Sequence, residues 1–209
     1  MFRTFVVCAA LAASSVALGQ SPAAPQSDKP AETFEEVERG LYVGTLAGPF
    51  FILNAPADPA ISPRPFAPGQ VGGLEVGYDF GTFASAGLFL LGTANRAGSE
   101  YKGYNPTKGY SGDFAALVPG AALRVNVLGL ADANQTRRTF LYARAGAGYA
   151  LFSPRQLLPN PDILVFGGVG VEYYTRLRHF SIGVEIAGTF LVSSQALGFA
   201  LTPSLRYAF

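Results

Sequence analysis

Hydrophobic and polar residues alternate along much of the chain, most regularly in the segments 70–80, 180–190 and 198–209. In the first of these segments the apolar positions are Leu74, Val76, Tyr78 and Phe80. The positions between them are Gly73, Glu75, Gly77 and Asp79. Successive side chains of a β-strand point to opposite faces, so this pattern predicts strands with one apolar face and one small or polar face.

The same kind of segment recurs along the chain, separated by stretches rich in Gly, Pro, Asn and Asp that are typical of turns. The predicted strands are 39–53, 70–80, 82–93, 112–128, 139–152, 163–174, 180–192 and 198–209. An even number of short alternating segments is typical of outer-membrane barrels. The pattern therefore predicts an all-β fold, an eight-stranded antiparallel transmembrane β-barrel with both termini periplasmic.

Some of these segments fit the pattern less well than others. Alternation is poor in the first and third strands, where the run from Leu88 to Leu91 is apolar on both faces. Pro49, Pro119 and Pro203 each remove a backbone hydrogen-bond donor within a predicted strand. We therefore expect bulges or shifted boundaries at these places.

The N-terminal residues have the pattern of a secretory signal peptide. Arg3 precedes an apolar run over residues 5–18, and small residues end at Gly19, where we predict cleavage. The run is shorter than the about 20 residues that a membrane-spanning helix needs. We expect residues 1–19 to be removed during export.

The composition divides the rest of the chain into two parts. Residues 20–38 are rich in Pro, Ala, Ser and Glu and have few large apolar side chains, which predicts a flexible periplasmic linker. The predicted barrel domain covers residues 39–209. The single cysteine, Cys8, lies in the predicted signal peptide, so the mature chain is expected to contain no thiol and no disulfide.

The overall composition is unusual for a soluble protein. Hydrophobic residues make up 49% of the chain and charged residues only 14%, and the net charge of +1 argues against a nucleic-acid partner. After the predicted signal peptide, no uninterrupted apolar run reaches the length of a spanning helix. The hydrophobic residues must therefore be distributed over shorter elements, as in a membrane barrel.

Charged residues recur on the faces opposite the apolar ones. They are Glu75, Asp79, Arg124, Arg144, Glu172, Glu185 and Arg206. Charges facing lipid cost several kcal/mol, so we expect these side chains to fill the interior, which in an eight-stranded barrel is just wide enough for them. All lie near predicted periplasmic turns. We predict a single interior layer of charges in which Arg144 pairs with Glu172 and Glu185 pairs with Arg206. This layer is expected to plug the barrel. The alternative is an ion-conducting or gated path.

The two ends of the barrel region resemble known outer-membrane proteins. The ending with Leu205, Tyr207 and Phe209 resembles the C-terminal signal that the barrel-assembly machinery recognises. The opening Gly40-Leu41-Tyr42-Val43-Gly44 is similar to the first strand of small barrels of the OmpA transmembrane-domain and OmpW type. These resemblances imply a location in the outer membrane.

A longer stretch over residues 40–54 resembles the opening barrel segment of adventurous gliding motility outer-membrane proteins of the CglE type. That resemblance implies a component of a gliding motor or focal-adhesion complex without enzymatic activity. It rests on one segment and on overall size, so it transfers no site residue.

Candidate catalytic and metal-binding chemistry is sparse. The single histidine, His179, lies in a predicted periplasmic turn beside Arg176 and Arg178, where a polar interfacial residue is expected rather than a catalytic base. The glycine clusters fall inside strand patterns and precede no helix that could bind a phosphate. The sequence therefore predicts no catalytic residue, no metal site and no cofactor.

The outer loop from Thr93 to Gly112 is the best candidate for a binding surface. Tyr101, Tyr104 and Tyr110 are interleaved there with Arg96, Lys102 and Lys108. Aromatic rings beside cations can stack on sugars, hold lipopolysaccharide phosphates or contact a protein. The alternative is an interfacial aromatic belt with solvated lysines.

The expected partners are outer-membrane lipid and lipopolysaccharide, the barrel-assembly machinery and envelope proteins. A structural or interaction component of the cell surface is the favoured function. A small passive or gated channel for apolar or small solutes is the alternative, and an envelope enzyme is disfavoured.

Overall fold

The computed structural model describes residues 37–53, 66–99, 112–155, 157–177 and 179–209. Eight antiparallel strands follow one another in chain order and close into a barrel in which β8 pairs with β1. The strands are β1 Leu41–Ile52, β2 Phe66–Phe80, β3 Ala84–Ala97, β4 Gly112–Ala131, β5 Arg137–Ser153, β6 Asp162–Tyr174, β7 Phe180–Leu191 and β8 Ala196–Ala208. The predicted all-β, eight-stranded barrel is confirmed. Across these residues, no helix is long and apolar enough to cross a membrane.

The barrel has two distinct ends. At one, here called the terminus end, the described chain starts at Val37 and ends at Phe209, and short turns join β2 to β3, β4 to β5 and β6 to β7. At the opposite end, the loop end, lie the other four connections. The predicted signal peptide, nearly all of the predicted linker and the three loop tyrosines lie outside the described residues.

The strand bounds differ from the predicted ones mainly around the first two loop-end connections. β2 begins at Phe66 rather than at Gln70, and β3 extends to Ala97 rather than to Thr93. Arg96 therefore lies on β3, in register with Asp113 of β4, and not in the loop. The alternation is obscured here because the loop-end half of the interior is itself apolar, so both faces of these strands carry hydrophobic residues.

The prolines lie within strands, at places where the pairing is interrupted on one side. The pairing of β4 with β5 skips Val118 and Pro119. The pairing of β1 with β8 is interrupted from Ala47 to Pro49. These residues lie opposite residues 201–203, which include Pro203. At Gly48 an added Cβ would lie 1.9 Å from the carbonyl oxygen of Leu201, so only glycine fits this close approach of the two backbones.

The outer surface of the barrel is apolar on every strand. Large exposed hydrophobic residues include Val43, Leu74, Leu88, Leu123, Leu141, Val169, Ile186 and Leu205. The interior is divided between two zones. Its loop-end part is an apolar cluster that includes Phe50, Phe66, Phe89, Phe114, Phe152 and Phe166, whereas the part nearer the terminus end is charged.

Candidate functional site

The seven charged residues predicted for the interior all lie on strands with their side chains turned into the barrel. Asp79, Arg124, Glu172 and Glu185 are buried, and the side chains of Glu75, Arg144 and Arg206 are at most 16% exposed. Ion pairs divide them into two groups at different heights in the barrel. We call these groups the lower tier, nearer the terminus end, and the middle tier.

The lower tier is centred on Glu172 of β6. Arg206 Nη1 lies 3.2 Å from Glu172 Oε1, and Arg206 Nη2 lies 2.9 Å from Asp79 Oδ1. Arg124 forms a second ion pair with Glu172, and the Ser181 hydroxyl donates a 2.6 Å hydrogen bond to the same carboxylate. Within the described residues, Asp79 Oδ2 and Arg206 Nε have no hydrogen-bond partner. The Glu172 carboxylate is thus fully enclosed by donors, whereas the pair of Arg206 with Asp79 is only partly satisfied.

The middle tier is centred on Arg144 of β5. Its guanidinium lies 2.5 Å from Glu75 Oε2 and 3.2 Å from Glu185 Oε1. The Tyr42 hydroxyl donates a 2.6 Å hydrogen bond to the other oxygen of Glu75. One arginine therefore bridges carboxylates from β2 and β7, on opposite sides of its own strand.

These pairings correct two predictions. Arg144 contacts Glu75 and Glu185 instead of Glu172, and Arg206 contacts Glu172 and Asp79 instead of Glu185. The expectation of a single layer is also wrong, since Glu75 and Asp79 lie four residues apart on β2, about 13 Å along the strand. The strands of a closed barrel are staggered, so residues of non-neighbouring strands reach the same height and long arginine side chains cross the lumen to meet them.

Two tyrosines connect the tiers, and the sequence reasoning did not single them out. The guanidinium carbon of Arg206 lies 3.7 Å from the centroid of the Tyr42 ring, while the hydroxyl of the same tyrosine contacts Glu75. The guanidinium of Arg124 lies 3.7 Å from the centroid of the Tyr142 ring. The alternation along β5 could have identified Tyr142, because it lies two residues from Arg144 and therefore on the same, inward face of the strand. Each ring thus adds a cation–π contact to one face of a buried guanidinium, that of Arg206 or Arg124.

Two small cavities lie on either side of the ion pair between Arg144 and Glu185. One, of about 40 Å³, is lined by charged and polar side chains of both tiers, and the other, of about 50 Å³, is lined mainly by apolar residues of the loop-end half. Leu46 and Thr202 border both cavities. Each cavity is large enough to hold water. Arg144 and Glu185 line both cavities as well.

The loop end is closed by the connection between β5 and β6. Leu157 and Leu158 are completely buried there and belong to the apolar cluster of the interior. Asp162, at the start of β6, holds this connection to the one between β7 and β8. Its carboxylate accepts hydrogen bonds of 2.8 Å from the backbone N–H of Ser193 and 2.9 Å from that of Ser194, and one from the Ser194 hydroxyl.

At the terminus end, the segment that leads into β1 contacts β5, β6 and the β2–β3 turn through Arg39. The guanidinium of Arg39 lies 4.7 Å from the ring centroid of Phe140 and 4.9 Å from that of Tyr174, and it donates a hydrogen bond of 3.2 Å to the Gly81 carbonyl. Both rings point into the barrel. The side chain of Arg39 thus reaches from the segment before β1 to rings on β5 and β6.

His179 lies at the same end, in the turn between β6 and β7. Its Nδ1 atom is 2.6 Å from the Glu38 carboxylate and 2.8 Å from the Ala208 carbonyl oxygen, and its ring stacks on Tyr207. These contacts connect the N-terminal segment, the turn and the last strand. Over the described part of the chain, no group of three or more His, Cys, Asp or Glu side chains could hold a metal ion.

The predicted assembly signal occupies the end of β8. Leu205 and Phe209 are exposed on the outer surface, and the Tyr207 ring packs against the rings of Phe180 and Phe209 at 5.0 Å. The backbone N–H of Phe209 donates a hydrogen bond of 2.9 Å to the Leu41 carbonyl. The last residue therefore takes part in joining β8 to β1.

The predicted binding loop is described only at its base. Tyr101, Tyr104 and Tyr110 fall outside the described residues. At the base, Arg96 of β3 and Asp113 of β4 are exposed, with Nε and Oδ1 3.8 Å apart.

No protein-family model and no curated protein matches the chain. Among solved structures, Neisserial surface protein A matches with a TM-score of 0.54 and 15% identity, over 81% of this chain and 97% of that one. The outer membrane protein OprG from Pseudomonas aeruginosa matches with a TM-score of 0.47 and 12% identity, over 84% and 99% of the two chains. The attachment invasion locus protein Ail of Yersinia pestis matches with a TM-score of 0.41 and 16% identity, over 81% and 100%. At 15% identity, the match to Neisserial surface protein A shows a shared fold alone, that of a closed eight-stranded β-barrel.

Proposed function

We propose that this chain is exported, spans the outer membrane as a closed barrel and acts as a non-enzymatic structural or interaction component of the cell surface. The observation that carries the proposal is the inverted polarity of the barrel. Large apolar side chains are exposed on every strand, whereas seven charged side chains are enclosed and ion-paired inside. A water-soluble barrel requires the opposite arrangement, because exposed apolar patches of this extent cause association.

The lengths of the connections support an orientation with the terminus end in the periplasm. The turns at the terminus end are short, and outer-membrane barrels place short turns in the periplasm and longer loops outside. We therefore propose that the terminus end is the periplasmic end, with the predicted linker 20–38 beside it. The loop end, including the tyrosine-rich connection after β3, faces outward.

The interior supports a sealed barrel. Arg144, Arg206 and Arg124 each have a carboxylate partner, and the two interior cavities beside Arg144 measure about 40 and 50 Å³. Leu157 and Leu158 fill the loop end, and Arg39 crosses the terminus end. A barrel without an open path contributes through its surfaces, and long loops on a rigid scaffold commonly carry such contacts.

The contact surface that we propose is the outer loop with Tyr101, Tyr104 and Tyr110, directed at lipopolysaccharide or an envelope protein. The resemblance of residues 40–54, most of which form β1, to CglE-type proteins makes a gliding-motility or adhesion complex the candidate assembly. Crosslinking in native cells, followed by identification of the captured chains, tests this proposal. Capture of motility or adhesion components supports it, and capture of chains from unrelated processes contradicts it.

The membrane assignment is tested by fractionating cells and by comparing heated and unheated samples on a denaturing gel. We expect the protein in the outer-membrane fraction, with faster migration before heating because folded barrels stay compact. Recovery of the wild-type protein from the soluble periplasm would overturn the proposal.

A small gated channel is the second candidate, and the position of the Arg144–Glu185 ion pair beside both interior cavities favours it. Purified protein in planar bilayers distinguishes the candidates, since a sealed barrel gives no reproducible conductance steps. Steps in the wild type that change when Arg144 is replaced by alanine would favour the channel.

A further inference from the structure

A polar pocket of about 180 Å³ opens at the terminus end, between the β2–β3 turn and the last part of β4. It lies outside the ion-paired interior described above. Its walls include Thr82, Phe83, Asn126, Val127, Gly129 and Arg137. The pocket is large compared with the interior cavities and has room for a group several times the size of a water molecule.

A β-bulge shapes the floor of this pocket. The pairing of β4 with β5 shifts between Asn126 and Leu128, which leaves Val127 without a partner in register. The Asn126 side chain donates a 2.9 Å hydrogen bond to the Thr82 carbonyl, and its backbone N–H donates one of 2.8 Å to the Phe83 carbonyl. Its side-chain oxygen accepts two hydrogen bonds of 3.1 Å from Arg124 of the lower tier. The floor is therefore fixed to the interior network.

Arg137 provides the charge of the pocket. Its side chain is exposed, and among the described residues it forms no ion pair, whereas the neighbouring Arg138 is paired with Asp132 at 3.2 Å. An added Cβ at Gly129 would lie 3.3 Å from Arg137 Cδ and 3.0 Å from the Phe140 ring. Glycine at this position lets the arginine stem lie close to the sheet. The carboxylate of Asp132 is thus already paired with Arg138, so the charge of Arg137 leaves the pocket with a net positive charge.

Exposed apolar side chains of the β2–β3 turn and of the last part of β4 border the pocket. Phe83 and Val127 are each 66% exposed, and Leu128 and Leu130 are more than half exposed. These side chains belong to the surface that the proposed function places in lipid. A ligand in the pocket would therefore have a charged group beside Arg137 and hydrocarbon beside Phe83 and Val127.

We propose that this pocket binds the phosphate headgroup of a glycerophospholipid from the inner leaflet of the outer membrane. The inference rests on the proposed membrane orientation, because it places the terminus end at the periplasmic side. Arginine is suited to phosphate because its planar guanidinium donates two parallel hydrogen bonds to phosphate oxygens. The acyl chains then lie along the apolar surface above the pocket.

The test is native mass spectrometry of the full mature chain in a non-ionic detergent with added phosphatidylglycerol. We expect one molecule retained by the wild type and about tenfold or greater weakening of binding for Arg137→Gln, as for loss of a charge-assisted hydrogen bond. Arg176→Gln is the matched control, since Arg176 is an exposed arginine at the same end that does not line the pocket. Equal retention by the wild type and Arg137→Gln would overturn the inference.

Two further probes separate lipid from other ligands. Diacylglycerol lacks the phosphate, so retention as strong as that of phosphatidylglycerol would show apolar contact alone and would contradict the proposal. Displacement of the lipid by inorganic phosphate at equal concentration would show a site for free phosphate and would also contradict it. The heat-dependent gel shift and vesicle insertion of both variants report on the barrel itself, so a failed membrane assignment is distinguishable from a failed lipid site.

Discussion

Arg206 of β8 donates a 2.9 Å hydrogen bond to Asp79 of β2, although 127 positions separate the two residues in the sequence. β1 lies between their strands, so the contact spans the place where the barrel closes. The side chains are 12% and 5% exposed. Such a buried pair is costly to break, because removal of one partner leaves the other charge without compensation.

The first prediction concerns this pair. Arg206→Gln is expected to destabilise the barrel by about 3–5 kcal/mol, because Asp79 loses its cation and Glu172 keeps only Arg124. Urea unfolding in lipid vesicles measures the change. The double variant Asp79→Asn with Arg206→Gln is expected to recover part of the loss, which a double-mutant cycle detects.

Arg96→Gln is the control for this prediction. Arg96 is also an arginine paired with an aspartate, but its side chain is 73% exposed, so we expect a change below about 1 kcal/mol. Equal effects of Arg96→Gln and Arg206→Gln would contradict the assignment of the interior network.

A second prediction concerns the closure of the loop end. Asp162→Ala removes the acceptor of the Ser193 and Ser194 hydrogen bonds, at a cost of about 1–3 kcal/mol for the donors left buried. Because these bonds hold the connection that carries Leu157 and Leu158, we expect faster proteolytic cleavage between residues 154 and 161. Limited proteolysis of protein in vesicles measures the rate, and an unchanged rate would show that the buried leucines hold the connection without Asp162.

The third prediction concerns pH. Desolvation by itself would raise the pKa of Asp132, but hydrogen bonds from the backbone N–H groups of Asn134 and Thr136 and the charge of Arg138 lower it below its usual value. The folded pKa is thus below the unfolded one. The resulting stabilisation is present above the unfolded pKa and is lost as the pH falls through the folded pKa.

Asp132→Asn removes this dependence. We expect the unfolding midpoints of the wild type and Asp132→Asn to differ at neutral pH and to converge as the pH falls through the lowered pKa of Asp132 in the folded state. Urea titrations at a series of pH values measure both. A difference between the two proteins that stays constant down to pH 2 would contradict the assignment.

The fourth prediction concerns assembly. Deleting Phe209, or replacing it with alanine, is expected to reduce insertion into the outer membrane several-fold, because the residue ends the predicted assembly signal. Phe80→Ala is a matched control, since Phe80 is 59% exposed and Phe209 63%, both near the terminus end. Outer-membrane fractions of the variants are compared by immunoblot, and equal losses would indicate that both rings act only through their contact with lipid.

The fifth prediction concerns the outer loop. Replacing Tyr101, Tyr104 and Tyr110 together with serine is expected to leave insertion and the heat-dependent gel shift unchanged while weakening partner capture or the complementation of a deletion strain. A triple variant that fails to fold would place these rings in the aromatic belt of the barrel. A variant that folds and behaves as wild type would direct attention to the linker over residues 20–38.

The fold could be predicted because its signal is local. The two-residue period of a strand decides which side chains share a face, so Leu74 and Val76 were separated from Glu75 and Asp79 by sequence position alone. Turn residues then divided the chain into eight segments. The prediction weakened where the interior is apolar, as around Leu91 of β3, since both faces of the strand then have the same chemistry.

The sequence alone determined the strands, their faces and the type of chemistry inside. Only the tertiary structure decided which charges meet, because the stagger of a closed barrel sets the height of every residue and is a property of all eight strands together. It thereby paired Arg144 with Glu75 and Glu185, and Arg206 with Asp79. The burial of Leu157 and the hydrogen bonds from Ser193 and Ser194 to Asp162 depend in the same way on contacts between segments far apart in sequence. No local sequence pattern records such contacts.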